Sequence, residues 1–170
     1  MNIILLAAQF ANEAHKGQTR KITNRPYIEH PMRVAGLVSL LPHGTEEMVA
    51  AAWLHDVVED TTITLDVIEK LFGHNVAFIV NELTFKDQGL KNAGLNRAQC
   101  KAIQINKISQ ASKVARDIKV IDRIDNLTDN PDPRDPFFVT YINETKLLCE
   151  ALKNTDTDQD LLAQLRYIVE

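Results

Sequence analysis

The stretch WLHDVVED, residues 53–60, sets His55, Asp56, Glu59 and Asp60 directly behind the apolar run MVAAAWL. A neighbouring histidine and aspartate offer one nitrogen and one oxygen ligand to a divalent cation. On a helix, Glu59 follows His55 by four residues and Asp56 by three, so the three share one face with Asp60 at its edge. As a solvated helix end the segment is unusual, because helix C-termini prefer cations and this one carries two further carboxylates. A bound cation would offset them.

Two ligands do not make a site, and two other residues are candidates. His30, in RPYIEHP, stands at a helix start beside Pro31, whose ring fixes the backbone. Asp122 interrupts the apolar pattern of IKVIDRIDNL, where an unpaired carboxylate is costly. Taken singly, each has an ordinary explanation: a histidine satisfied by hydrogen bonds, and an aspartate ion-paired with Arg123. Arg20, Lys21 and Arg25 give an acidic chain, net charge −4, a local cluster able to hold phosphate.

Helices must position these groups. Ile3, Leu6, Ala7, Phe10 and Ala14 recur with helical spacing and predict a first helix ending before Gly17. After the polar loop QTRKITNRP, Pro31 opens a second, with Val34, Leu37, Val38 and Leu41 inward and Pro42 and Gly44 closing it. Residues 46–58 predict one continuous, apolar, central helix. Thr64 is the expected N-cap of a short helix to Phe72, stopped by Gly73, and another covers 75–83. Residues 86–96 read as a loop. A long helix over 97–115, with Ile103, Ile105 and Ile108 as apolar positions, precedes one marked by Val120, Ile121, Ile124 and Leu127 and ended by the proline-rich DNPDPRDP. Helices over 137–152 and 161–169 follow, the last opened by a capping box of Thr157 and Asp160. No stretch alternates with period two, so the predicted fold class is all-α, in a single compact domain over residues 1–170.

Composition narrows the function classes. Apolar content of 45% with 25% charged residues is ordinary for a globular protein. The longest apolar run, residues 48–54, is far short of the ~20 residues that span a bilayer. The N-terminus lacks a basic segment ahead of its apolar residues, so no signal peptide is expected. Cys100 and Cys149, far apart in apolar surroundings, read as buried free thiols of a cytoplasmic protein. The negative net charge argues against duplex nucleic acid as a partner, and no membrane partner is expected. The charge leaves room for an anionic small molecule as partner, and no feature marks an oligomeric state.

The order His, His-Asp, Asp resembles that of the HD superfamily of metal-dependent phosphohydrolases, which are all-α enzymes. More narrowly, AAQFANEAHKGQTRK, RPYIEHPMRVA, AAWLHDVVEDT, LFGHNVA and IDRIDNL resemble, in order and spacing, the hydrolase domain of the RelA/SpoT family over about residues 5–128. That domain removes the 3′-diphosphate from ppGpp, the alarmone of the stringent response. The resemblance implies a metal, usually Mn²⁺, held by His30, His55, Asp56 and Asp122, although such ligands also admit Fe, Co, Ni or Zn. It implies that Glu59 and Asp60 orient or deprotonate a metal-activated water, and that Arg20 and Lys21 contact the nucleotide. Asn126, one helical turn after Asp122, would bind the ribose, and Tyr141 would line the nucleotide pocket. Lys86 could reach phosphate from its loop, His15 would be structural within the loop of Arg20 and Lys21, and His43 and His74 would be surface or capping residues.

The chain departs from the pattern in two places. It has Asn24-Arg25-Pro26-Tyr27 where the family commonly has Gly-x-Pro-Tyr, and Ile121 where alanine commonly precedes the metal aspartate. Both bear on the base pocket rather than on hydrolysis. With no synthetase segment within 170 residues, it resembles the small hydrolase-only members. The implied reaction is hydrolysis of ppGpp to GDP and pyrophosphate. The alternatives are a phosphatase for another ribose-phosphate nucleotide such as NADPH, and a nucleotide-binding sensor without catalysis; Glu59 and Asp60 argue against the sensor.

Overall fold

The computed structural model describes residues 2–21, 23–129 and 135–170. Among them are eleven α-helices and no strand, with one isolated antiparallel bridge pairing Thr19 with Pro26. The all-α expectation therefore stands. Two compact units divide the chain, Met1–Thr84 and Phe85–Glu170.

The first unit holds α1 (Ile3–Ala14), α2 (Glu29–Val38), α3 (Glu46–Leu54), α4 (Val57–Asp60), α5 (Leu65–Phe72) and α6 (His74–Leu83). Helices α1, α2 and α6 all pack on α3, which explains its composition. A helix contacted from several sides must be apolar all round, and Met48, Val49, Ala50, Ala51, Ala52 and Leu54 are all buried. Thr45 caps it, accepting from the amide of Met48 at 3.2 Å. Helix α2 starts at Glu29, with Pro31 inside its first turn, where a missing amide proton is tolerated. It ends at Val38, short of Leu41. Val34 and Val38, one turn apart, form its inward face, whereas Leu37 falls off that stripe and is 42% exposed. Thr64 occupies the N-cap position of α5 without a side-chain capping bond. Gly73, at φ 85°, turns the chain directly from α5 into α6.

The expected continuous helix over 46–58 is instead broken at His55 and Asp56, between α3 and α4. Asp56 sits at φ −99°, ψ −9°, at the margin of the helical region toward the bridge region. The carbonyl of Ala52, which in an unbroken helix serves the amide of residue 56, accepts the ring N–H of His55 at 2.7 Å.

The second unit holds α7 (Gln88–Asn92), α8 (Arg97–Ser109), α9 (Lys113–Asp129), α10 (Pro136–Leu152) and α11 (Gln159–Val169). Helices α8, α10 and α11 pack with α9, and α10 also meets α8 and α11. The short α7 lies where a loop is expected. Helix α8 starts as expected, behind a reciprocal capping box of Asn96 and Gln99. The predicted helix over 97–115 is two helices, because Ser112 restarts the ladder: its hydroxyl accepts from the amide of Ala115 at 3.3 Å. Ile103 is exposed, and Ile108 is the buried isoleucine of α8. Helix α10 begins at Pro136, capped by Asp135, which accepts from the amide of Phe137 at 2.8 Å. The proline-rich segment expected to end α9 falls largely on residues 130–134, outside the described residues.

The capping box expected at Thr157 and Asp160 does not form. Asp158 caps α11, accepting from the amides of Asp160 at 3.0 Å and Leu161 at 3.1 Å. Thr157 is 2% exposed and its hydroxyl is taken by Arg116 and Thr155. Cys100 and Cys149 are both buried and free. Among the described residues no helix is long and apolar enough to cross a membrane.

Candidate metal centre

The break after α3 presents His55 and Asp56 on a tight turn, while buried Val57 and Val58 anchor the next turn inward. Glu59, half-buried, and Asp60, exposed, are left facing away from the core. The amide of Asp60 still reaches back to the carbonyl of Asp56 at 2.8 Å, so the four ionisable groups occupy consecutive turns of one tightly bonded segment. His30 comes from the first turn of α2, where its amide donates to the carbonyl of Tyr27 at 3.0 Å.

His55 and His30 are 2% and 1% exposed, too buried to be incidental surface groups. Because a carbonyl only accepts, the bond to Ala52 places a proton on Nδ1 of His55, and in the neutral ring Nε2 then carries a lone pair. That Nε2 faces Nε2 of His30 at 3.3 Å and Oδ2 of Asp56 at 3.0 Å. The same oxygen lies 3.6 Å from Nε2 of His30. One ligand atom from each of the three residues lies within 4.8 Å of the other two. Two imidazole nitrogens and a carboxylate turned toward one point form the donor set of a borderline divalent cation. Fixing a ligand histidine through its other nitrogen is the usual way such a ring is oriented. The residues present fit a metal.

The Asp60 carboxyl is displaced from its ordinary range. Partial burial pushes its carboxyl above the ordinary range and the Asp56 charge adds to this, partly offset by a hydrogen bond from Tyr27 and by His15 and His55. A carboxyl that keeps its proton to higher pH is better matched to transfer near neutrality.

The loop bearing Arg20 and Lys21 is held by its backbone. The amide of Arg20 donates to the carbonyl of Arg25 at 2.8 Å, that of Asn24 to Arg20 at 3.0 Å, and that of Tyr27 to Gln18 at 3.0 Å. Asn24 sits at φ 55°, the left-handed region. This accounts for the departure from Gly-x-Pro-Tyr, since asparagine is the side chain that best replaces glycine there. Arg25 is ion-paired with Glu29 at 3.4 Å, beside Arg33 at 3.8 Å from the same carboxylate. His15 donates from Nδ1 to Gln18 Oε1 at 2.8 Å, in keeping with its structural reading. His43, His74 and Lys86 are exposed, and His74 pairs with Glu69.

Asp122, Asn126 and Tyr141 belong to the second unit. Asp122 is 4% exposed and ion-paired, but with Lys119 rather than Arg123: Nζ of Lys119 lies 2.7 Å from Oδ2. Burial, the largest single effect, lowers the Lys119 ammonium, yet the Asp122 charge and hydrogen bond together with Tyr141 carry the net direction upward. Asn126 donates to Oδ1 of Asp122 at 2.6 Å, so the two are adjacent as their spacing predicts. Arg123 lies instead over the Tyr141 ring, 4.2 Å from its centroid. Tyr27 was missing from the candidates drawn from sequence, although its hydroxyl contacts both Asp56 and Asp60.

Fold and donor set define an all-α protein with an HD-type metal centre, and the match of the HD domain model to residues 7–132 agrees. The chain belongs to the HD domain family, which implies a divalent metal. Within that family its relatives include guanosine-3′,5′-bis(diphosphate) 3′-pyrophosphohydrolases. It is 40% identical over 129 residues to the guanosine-3′,5′-bis(diphosphate) 3′-pyrophosphohydrolase MESH1 of Xenopus tropicalis, covering 75% of this chain and 69% of that one. The protein of the same name from Drosophila melanogaster is 32% identical over 164 residues, 90% of this chain and 86% of that one. Among solved structures, a metazoan ortholog of SpoT that hydrolyzes ppGpp is similar with a TM-score of 0.83 at 29% identity, covering 99% of this chain and 94% of that one.

Proposed function

We propose that this protein is a metal-dependent guanosine-3′,5′-bis(diphosphate) 3′-pyrophosphohydrolase, a single HD-type domain over residues 1–170 that converts ppGpp to GDP and pyrophosphate in the cytoplasm. The observation that carries this reading is the convergence of His30, His55 and Asp56, with Glu59 and Asp60 on the following turn, in a chain whose relatives bear that name. Asp122 is the fourth ligand of the reading, on the strength of the motif order, and Mn²⁺ the preferred metal. When bound, the cation supplies Lewis acidity, neutralising phosphate charge and easing deprotonation of water.

The chain's own residues do the rest. Glu59 and Asp60 orient the attacking water and take its proton as its oxygen bonds to the phosphorus nearest the ribose. The bond from that phosphorus to O3′ breaks, and a proton returns to O3′ as GDP forms. Arg20 and Lys21 hold the nucleotide, the guanidinium by stacking and the ammonium by charge. Asn126 meets the ribose and Tyr141 lines the nucleotide pocket. Steady-state turnover of ppGpp and NADPH by Mn²⁺-loaded protein tests the assignment. A higher kcat/KM for ppGpp is expected, and a large preference for NADPH would replace it with the phosphatase reading.

A further inference from the structure

None of these roles uses Tyr27, yet its hydroxyl reaches two carboxylates of the centre. Its amide is tied to Gln18 and its carbonyl to the amide of His30, each at 3.0 Å, so the backbone is fixed on both sides. Its hydroxyl lies 2.6 Å from Oδ2 of Asp56 and 3.1 Å from Oδ2 of Asp60. The first is the same oxygen that faces both histidines. A phenol has one proton to share between these acceptors, and 2.6 Å is the length of a strong bond to an ionised oxygen. The ring is held as firmly. His15 packs against it with centroids 4.8 Å apart, and the Arg20 guanidinium lies 5.7 Å from its centroid on the cation–π side. Gln18, bonded to His15, donates in turn to the backbone carbonyl of Asp60 at 3.3 Å.

We propose that Tyr27 is the positioning residue of this centre: its hydroxyl fixes which oxygen of Asp56 faces the histidines and holds Asp60 at the same point, while its ring is the platform for Arg20. The inference rests on the metal-dependent reading above. An aspartate on a tight turn can rotate to exchange its two oxygens; a donor on Oδ2 removes that freedom and leaves that oxygen's other lone pair available to a cation that the histidines would hold.

Two substitutions separate hydroxyl from ring. Tyr27→Phe removes the oxygen alone, and Tyr27→Leu removes the platform as well. The dissociation constant for Mn²⁺ is read on substrate-free protein from the electron paramagnetic resonance signal of free Mn²⁺, and kcat and KM for ppGpp are then taken at saturating Mn²⁺. Both variants should bind Mn²⁺ about 10- to 100-fold more weakly than wild type. Tyr27→Phe should lower kcat with KM within about twofold, whereas Tyr27→Leu should also raise KM by about two- to fivefold as Arg20 loses its support. Wild-type Mn²⁺ affinity in Tyr27→Phe overturns the proposal, as does a wild-type protein that binds no Mn²⁺. If wild type binds Mn²⁺ and leaves ppGpp intact, the substrate reading fails, and the Mn²⁺ titrations still decide the role of Tyr27.

Discussion

Replacing Arg116 with methionine should lower the melting temperature by roughly 4–12 °C and leave turnover below the transition unchanged. Arg116 is 7% exposed on α9, the helix that carries Asp122 and Asn126. Its guanidinium donates to Thr157 Oγ1 at 3.1 Å, to the carbonyl of Ala111 in the turn before α9, and to the carboxylate of Asp156 in the connection to α11. Bonds from a charged donor contribute about 1.5–3 kcal/mol each, but not all of that is lost here. The Asp156 side chain is 74% exposed and rehydrates, so its arm counts for at most about 1 kcal/mol. Thr157 keeps its 2.6 Å contact with Thr155, and methionine refills the space of the aliphatic stem. The net loss is about 2–3 kcal/mol, and at this chain length each kcal/mol moves the midpoint by about 2–4 °C. Calorimetric melts of wild type, Arg116→Met and Asp156→Ala provide the assay, with the Asp156 variant as the near-neutral control. A shift below about 2 °C for Arg116→Met would refute the view that this buried cation fastens α9 to the α11 connection.

Other perturbations follow from the site. Glu59→Gln should retain Mn²⁺ and nucleotide binding while slowing kcat by about 10²–10⁴-fold, and full activity in single-turnover assays contradicts its acid/base role. Asp122→Ala should lose metal and activity together, and a chelator should abolish turnover until Mn²⁺ is restored; a metal-loaded, inactive Asp122→Ala protein argues against ligation. Lys101 should give a pH signature in stability. Burial, then Arg123, lowers its ammonium from 10.5 to about 8. Between those values the unfolded chain keeps a proton that the folded chain has shed, so this group's contribution to stability rises with pH. Lys101→Met should therefore stabilise most at about pH 7, with the gain shrinking above about pH 8; urea melts showing the same gain at about pH 9.5 contradict the shift.

Helix existence was readable from apolar periodicity, because one buried face is a local property of the chain. The breaks were not. The apolar run 48–54 leads into His55 and Asp56 with no helix-breaking residue, so nothing in the pattern records that the Ala52 carbonyl serves the His55 ring. The same holds at Ser112, whose capping role shows only once α9 turns away from α8. Thr157 and Asp158 are both cap-forming residue types, aspartate the stronger, and Arg116, 41 residues away, claims the threonine. At the site, His30, His55 and Asp56 were legible because metal chemistry restricts residue types and two of them are adjacent. Tyr27 left no comparable mark, since its acceptors lie 29 and 33 residues on and a tyrosine in a loop has many uses. Asp122 pairs with Lys119 and not Arg123 for a helical reason: residues three apart share a face, and neighbours do not.

Hydrolysis of ppGpp in ¹⁸O-labelled water, with and without Mn²⁺ and with products separated by anion-exchange chromatography and weighed by mass spectrometry, tests the central claim most directly. The account predicts Mn²⁺-dependent formation of GDP and pyrophosphate, with the label in pyrophosphate because water attacks phosphorus. Intact ppGpp, metal-independent turnover, or label retained in the nucleoside product would contradict it.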